Sequence, residues 1–170
     1  MLPVSYLFVP GNRPERFAKA LASGAGAIIL DLEDAVAPAD KTAARQAIAN
    51  WLQTADIAHE QLLVRINDAQ SAWYADDLAM IKATGLKQVM LPKTEFAEQV
   101  RMTIAATSPA VVVVALVESA RGINNIDQIV LAEGVQRIAF GTLDYAADLN
   151  LSGDDQGLIY PYSRIAIASR

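Results

Sequence analysis

The chemistry-bearing side chains of this 170-residue chain are of few kinds. It has no cysteine and a single histidine, His59. Disulfides, thiolate catalysis and sulfur-bound zinc are therefore excluded, and no Ser–His or Cys–His pair suggests itself. His59 lies between an expected helix and an expected strand and reads as a surface residue. What remains is a series of charged residues that stop or interrupt apolar runs: Asp31, Glu33, Asp34, Arg65, Lys93, Glu118 and Asp144.

Glu118 ends the apolar run Val111 to Val117 and precedes Ser119, a plausible helix N-cap. It should sit where a buried strand gives way to a helix. A bare carboxylate there calls for a cation. Glu118 and Asp144 together offer oxygens that, with water and substrate oxygens, suit Mg²⁺. The plainer alternative is two unrelated turn acids. Arg65, inside Val-Arg-Ile-Asn, could present its planar fork to a carboxylate or thioester oxygen. It could also pair with Asp31 or Glu33, and the two roles can coexist. Asp31, Glu33 and Asp34 could order metal-bound waters or cap the following helix. Lys93 could counter a phosphate or a substrate carboxylate, or simply be solvated. Arg13, Arg16 and Lys19 could meet an anionic cofactor tail, or form a solvated helix face.

Short apolar runs must position these residues. Strands are expected at Ser5–Val9, Ala27–Leu32, Leu62–Ile66, Gln88–Leu91, Val111–Val117 and Arg137–Thr142, the last ending in Leu143-Asp144. Helices are expected between them. Asn12 is the expected N-cap of the first, with Pro14 in its opening turn, and Asp40 that of the second, which runs to about Gln53. A third starts near Trp73 and is ended by Gly85, a fourth covers about Glu95–Ala106, and a fifth runs from Ser119 to Glu133. A last helix covers Leu158–Ser169. Gly24 and Gly26 precede a strand, so they are no dinucleotide fingerprint.

Alternating strands and helices imply a parallel α/β sheet with right-handed crossovers. An open doubly wound sheet and a (β/α) barrel both fit. Charges arriving from many strand ends favour the barrel mouth over a single crevice. The expected fold is thus a TIM-type (β/α) barrel truncated to about six βα units, with residues 1–170 as a single, partial barrel domain. The net charge of −5 and the sequence pI of about 4.8 leave no basic face for nucleic acid. No apolar run approaches the roughly 20 residues of a membrane span. The N-terminus lacks the features of a signal peptide, and with no cysteine the expected location is the cytoplasm.

Taken together, these residues resemble the citrate lyase β-subunit-like, HpcH/HpaI aldolase family of acyl-CoA lyases. The matching pieces are Phe8-Val-Pro-Gly-Asn, Asp31-Leu-Glu-Asp-Ala-Val, Val64-Arg-Ile-Asn, Leu91-Pro-Lys, Leu116-Val-Glu-Ser-Ala-Arg-Gly and Phe140-Gly-Thr-Leu-Asp-Tyr-Ala-Ala-Asp-Leu. They stand in family order and cover essentially the whole chain. The resemblance implies Mg²⁺-dependent cleavage of a β-hydroxyacyl thioester of the citryl-, malyl- or citramalyl-CoA type, giving acetyl-CoA and a 2-oxo acid. The acyl group would be carried by CoA or by a carrier protein. By the same resemblance Glu118 and Asp144 hold the metal and Arg65 binds substrate. The resemblance also implies that the segment of Arg13 and Lys19 matches a family segment near the bound acyl-CoA. The resemblance also favours a homo-oligomer, a trimer in particular, with other lyase subunits as further partners. Family members are longer, with strands seven and eight and a C-terminal lid. A six-strand wall would expose sheet edges and should self-associate. Two further readings use the same residues: a metal-dependent aldolase acting on free 2-oxo acids, and a non-catalytic shortened subunit.

Overall fold

The structure, a computed structural model, describes residues 3–54, 58, 61–152 and 156–170. His59 lies outside the described residues. Six strands form one sheet: β1 (Tyr6–Pro10), β2 (Ala27–Asp31), β3 (Leu62–Arg65), β4 (Gln88–Leu91), β5 (Val112–Val117) and β6 (Val135–Phe140). Among the described residues, eight α-helices lie between and after them: α1 (Phe17–Leu21), α2 (Lys41–Leu52), α3 (Tyr74–Thr84), α4 (Ala97–Ala106), α5 (Ala120–Asn124), α6 (Ile126–Val130), α7 (Thr142–Asp148) and α8 (Gln156–Ala168).

Every pairing is parallel and the spatial order follows the chain, β1-β2-β3-β4-β5-β6. A doubly wound sheet reverses its strand order at a switch point. This one does not, so the architecture is of (β/α)-barrel type. The sheet is also curled. In a flat sheet five inter-strand steps of roughly 4.8 Å would set β1 and β6 about 24 Å apart. Yet Arg137 of β6 donates from Nη1 to the Pro3 carbonyl at 2.6 Å and to the Tyr6 hydroxyl at 3.0 Å. The curl stops short of closure, because β1 and β6 share no ladder among the described residues.

The period of two along each strand divides the side chains between two cores. Ala27, Ile29, Leu63, Met90, Val114 and Leu116, with Tyr6 and Ala139, line the concave inside. The outer face carries Ile28, Leu30, Leu62, Val64, Val89, Leu91 and Val113 against α1 to α4. Ala115 and Val117 pack with Ile123, Ile126 and Ile129 beneath the later helices. Both faces of β2, β4 and β5 are thus covered, which is why these strands read as unbroken apolar runs.

Several boundaries differ from expectation, each for a local reason. Asn12 does not cap a helix. Its amide donates to Asp40 Oδ2 at 3.3 Å, and Pro14 instead opens a short 3₁₀ turn ahead of α1. Asp40 occupies the N-cap position of α2, but its side chain makes no capping bond. The helix expected from Ser119 to Glu133 breaks at Asn125, whose side-chain amide donates to the Glu95 carbonyl at 2.9 Å. The last strand ends at Phe140 rather than Thr142. Helix α7 begins there, with Tyr145 N–H donating to the Gly141 carbonyl at 3.0 Å. Asp144 therefore stands in the first turn of a helix, not at a strand end.

A buried network props the chain just beyond β3. Asp77 in α3 is fully buried and accepts from Arg45 Nη1 at 3.1 Å. Its other oxygen accepts from Asn67 N at 2.8 Å and Asn67 Nδ2 at 2.7 Å. Burial raises the proton affinity of Asp77, and the bonds from Asn67 and Arg45 offset this in part. Replacing Asp77 with Ala strands the buried Nη1 of Arg45 and the backbone N–H and side-chain amide of Asn67. The expected loss is about 3–5 kcal/mol in urea denaturation. The more exposed Asp76, the other carboxylate on Arg45, should cost under about 1 kcal/mol when replaced with Ala.

Candidate active site

Glu118 follows the last residue of β5 and turns to the inside of the curl, where it is 5% exposed. One carboxylate oxygen accepts from the backbone N–H of Lys93 at 2.8 Å. Lys93 can aim that N–H because it adopts a left-handed conformation, φ 48°, where the chain leaves β4. On the other side, Gly141 passes so close that an added Cβ would lie 2.5 Å from Glu118 Oε2 and 2.7 Å from its Cβ. Only glycine allows β6 to deliver α7 at this spot. Burial pushes the Glu118 carboxyl up to about 7. The bond from Lys93 opposes that shift, while the nearby charges of Glu33 and Asp144 reinforce it.

Arg65 at the end of β3 is held in a fork. Nε donates to Asp31 Oδ1 at 2.7 Å and Nη2 to Asp31 Oδ2 at 2.5 Å. Nη1 lies 2.9 Å from Glu33 Oε2 and 3.5 Å from Asp34. The Glu33 contact lacks hydrogen-bond geometry, so that buried oxygen is balanced by charge alone. Phe8 lies over the guanidinium, 5.0 Å from it to the ring centroid. Asp31 also accepts from the backbone N–H groups of Glu33 and Ala35, which fixes the loop after β2. Lys93 Nζ reaches Glu33 Oε1 at 2.5 Å. Burial raises the Glu33 carboxyl, against the pull of Lys93 and Arg65. Beneath the loop, Lys41 donates to the carbonyls of Leu32 at 2.6 Å and Glu33 at 2.7 Å.

These residues surround a cavity of about 440 Å³ lined by Arg65, Asp34, Glu118, Gly141 and Asp144, above an apolar wall. Asp144 is exposed on its rim. A second cleft of about 380 Å³ flanks Glu118 and Asp144 on the other side and includes Lys93, Asp68, Glu95, Ser119 and Asp148. Ser119 caps α5, accepting from Gly122 N at 3.1 Å while donating to Glu95 at 2.8 Å. Asp31 and Glu33 lie behind the cavity wall, held through Arg65 and Lys93. Arg13 is exposed, 3.9 Å from Glu15. Lys19 lines a separate cleft of about 630 Å³ along β1, with Arg16 and Phe8. The main cavity and this cleft share Phe8.

Sequence reasoning passed over Phe8, Gly141 and Arg137. Phe8 and Gly141 lie within motifs quoted above, but only the close approach of chain segments gives them a role. Arg137 stood at the start of the expected sixth strand, and the structure places it inside β6.

Among the described residues no three acidic or histidine side chains converge into a ready-made cation cage. The donor set still suits a hard cation. A buried carboxylate raised by its own burial and by two like charges would be relieved by positive charge, and open cavity space leaves room for water and ligand oxygens.

Parallel strands curled round a cavity, with carboxylates and cations gathered at the carboxyl ends of the strands, define a (β/α)-barrel-type protein whose candidate site lies at the face where such barrels carry their active sites. The HpcH/HpaI aldolase/citrate lyase family profile matches residues 4–170, and the chain belongs to that family. It is 43% identical over 144 residues to a citrate lyase subunit beta-like protein of Mycobacterium tuberculosis, covering 85% of this chain and 49% of the relative. It is 36% identical over 159 residues to an L-malyl-CoA/beta-methylmalyl-CoA lyase of Cereibacter sphaeroides, covering 85% and 50%. Among solved structures, M. tuberculosis CitE in complex with magnesium, acetoacetate and coenzyme A matches with a TM-score of 0.83 at 37% identity, covering 96% of this chain and 60% of that one. The chain spans about half the length of the curated relatives it matches.

Gly141→Ala is expected to force Glu118 from its seat. It should lower stability by about 1–3 kcal/mol, as overpacking does, read from urea denaturation followed by circular dichroism.

Proposed function

We propose that this chain is a Mg²⁺-dependent carbon–carbon lyase acting on a β-hydroxyacyl thioester of the citryl-, malyl- or citramalyl-CoA type, with acetyl-CoA and a 2-oxo acid as products. The observation that carries the reading is Glu118, a buried carboxylate at a strand end, braced by the Lys93 N–H and facing an open cavity with Asp144 on its rim. Glu118 and Asp144 would hold the metal. Bound there, Mg²⁺ would supply Lewis-acid polarisation of the substrate's hydroxyl and carboxylate oxygens.

The rest falls to the chain's own residues. The substrate hydroxyl would give its proton to water in the open cavity as its carbon becomes a carbonyl, the C–C electron pair would pass to the thioester as its enolate, and the enolate carbon would take one proton back from that water, so the cleavage is proton-neutral overall. Arg65, held by Asp31 and lining the cavity, would face the enolate oxygen. Lys93 would stay partnered to Glu33 and present its backbone N–H to Glu118. Arg16 and Lys19 flank the cleft that shares Phe8 with the cavity. A thioester seated at Glu118 would thus have a basic path outward along β1, towards the Arg13 segment.

A non-catalytic subunit is the second reading. Its support is that the Arg65 donors are already committed to Asp31, Glu33 and Asp34. For assembly we propose a homo-oligomer, on the ground that β1 and β6 are unpaired edges among the described residues. Light scattering should report a mass above one chain, and a monodisperse monomer would contradict the proposal. No helix among the described residues is long and apolar enough to cross a membrane.

The deciding experiment is a Mg²⁺ titration by calorimetry with oxaloacetate or pyruvate present. Saturable binding is expected in the natural chain and should disappear in Asp144→Ala. Turnover of a thioester panel should be abolished in Glu118→Ala. Turnover retained in that variant rejects the lyase assignment, and a folded chain that binds no Mg²⁺ favours the non-catalytic subunit.

A further inference from the structure

The floor of the main cavity holds a cation that the rim chemistry does not use. Arg137 stands in β6, four residues before Gly141, and lines the cavity together with Tyr6. At roughly 3.3 Å per residue, its backbone lies about 13 Å down the strand from Gly141. Its contacts among the described residues are with neutral groups: the Pro3 carbonyl, the Tyr6 hydroxyl and the Tyr6 ring at 5.6 Å. Both hydrogen bonds come from Nη1, so among the described residues Nε and Nη2 have no acceptor. Among the described residues, too, Arg137 pairs with no carboxylate. Arg65, the other guanidinium lining the cavity, meets three. Between floor and rim the wall is apolar, built from Ile29, Met90, Val114, Leu116 and Ala139. A guanidinium beside such a wall without a counter-charge is poorly compensated. Its planar fork is suited to grip a carboxylate through two parallel bonds.

We propose that Arg137 is an anion-binding group at the cavity floor, which takes the carboxylate of an aliphatic acid whose chain lies along the apolar wall. The site does not depend on metal at the rim. If the rim acts as proposed above, a substrate with a second carboxylate on a long enough chain would place it on Arg137, and that group would select for chain length and charge.

The test uses the whole chain without metal, so failure of the rim chemistry leaves it unaffected. The ¹⁵N-labelled arginine Nε–H signals are recorded, and those of Arg137 and Arg65 are identified by Arg137→Lys and Arg65→Lys. Hexanoate, butyrate and the uncharged hexanamide are then titrated. Hexanoate should shift the Arg137 signal saturably and bind at least threefold more tightly than butyrate and tenfold more tightly than hexanamide. Arg137→Met should lose the preference for hexanoate over hexanamide. Because Arg137 also ties β6 to the Pro3–Tyr6 segment, that variant's melting curve is taken in parallel. Should it fail to fold, Arg137→Lys replaces it and should keep a weakened preference for the anion. Movement of the Arg65 signal alone, equal binding of hexanoate and hexanamide, or an undiminished preference in Arg137→Met would overturn the proposal.

Discussion

The structure turns on a charge balance that its strand ends set up and do not complete. Parallel strands deliver Asp31, Glu33, Asp34 and Glu118 to one mouth, and among the described residues only Arg65 and Lys93 answer them in direct contact. Arg65 takes up Asp31 in a two-bond fork, and Lys93 takes one oxygen of Glu33. Glu118 receives a backbone N–H instead of a cation. It is the carboxylate left over, and burial among like charges is what raises its proton affinity. Its surplus negative charge makes the cavity receptive to a cation.

Holding that unstable arrangement requires stiff supports. The left-handed turn at Lys93 points one N–H at Glu118, and Gly141 lets the next strand close over the other side. Lys41 clamps the carbonyls of the β2 loop, and Asp77 ties down Asn67 just beyond Arg65. Lys41 and Asp77 act from behind the cavity wall, whereas Gly141 and Lys93 stand in the lining itself. Their work is to keep the mouth from relaxing into ordinary ion pairs, as preorganised sites require.

The inside of the curl obeys the opposite rule. Its wall is apolar, and Arg137 crosses the gap between the edge strands to reach Pro3 and Tyr6. The same side chain therefore shapes the curl and charges the floor. Acid at the rim and a cation below give the cavity a polarity along its depth, a property that an apolar slot of equal volume would lack.

Much of this was legible in the sequence. Unbroken β-branched runs such as Val111 to Val117 identify buried parallel strands, because only strands covered on both faces are apolar at every position. The charged residues that follow them mark the strand ends, and six motifs in order point to the family. Ser119 as an N-cap and Gly85 as a helix stop are local chemistry and were equally readable. Contacts between distant segments were not. The break at Asn125 depends on the Glu95 carbonyl, thirty residues away. The start of α7, which moves Asp144 from a strand end into a helix, follows from the bend at Gly141 beside Glu118. Whether Arg65 is free or paired depends on β2 lying alongside β3, and the neutral partners of Arg137, Pro3 and Tyr6, come from across the curl. Sequence pattern determined which residues are buried and where elements end, since those follow from local periodicity. The tertiary structure decided which charges meet, because partner choice is a matter of distance in space.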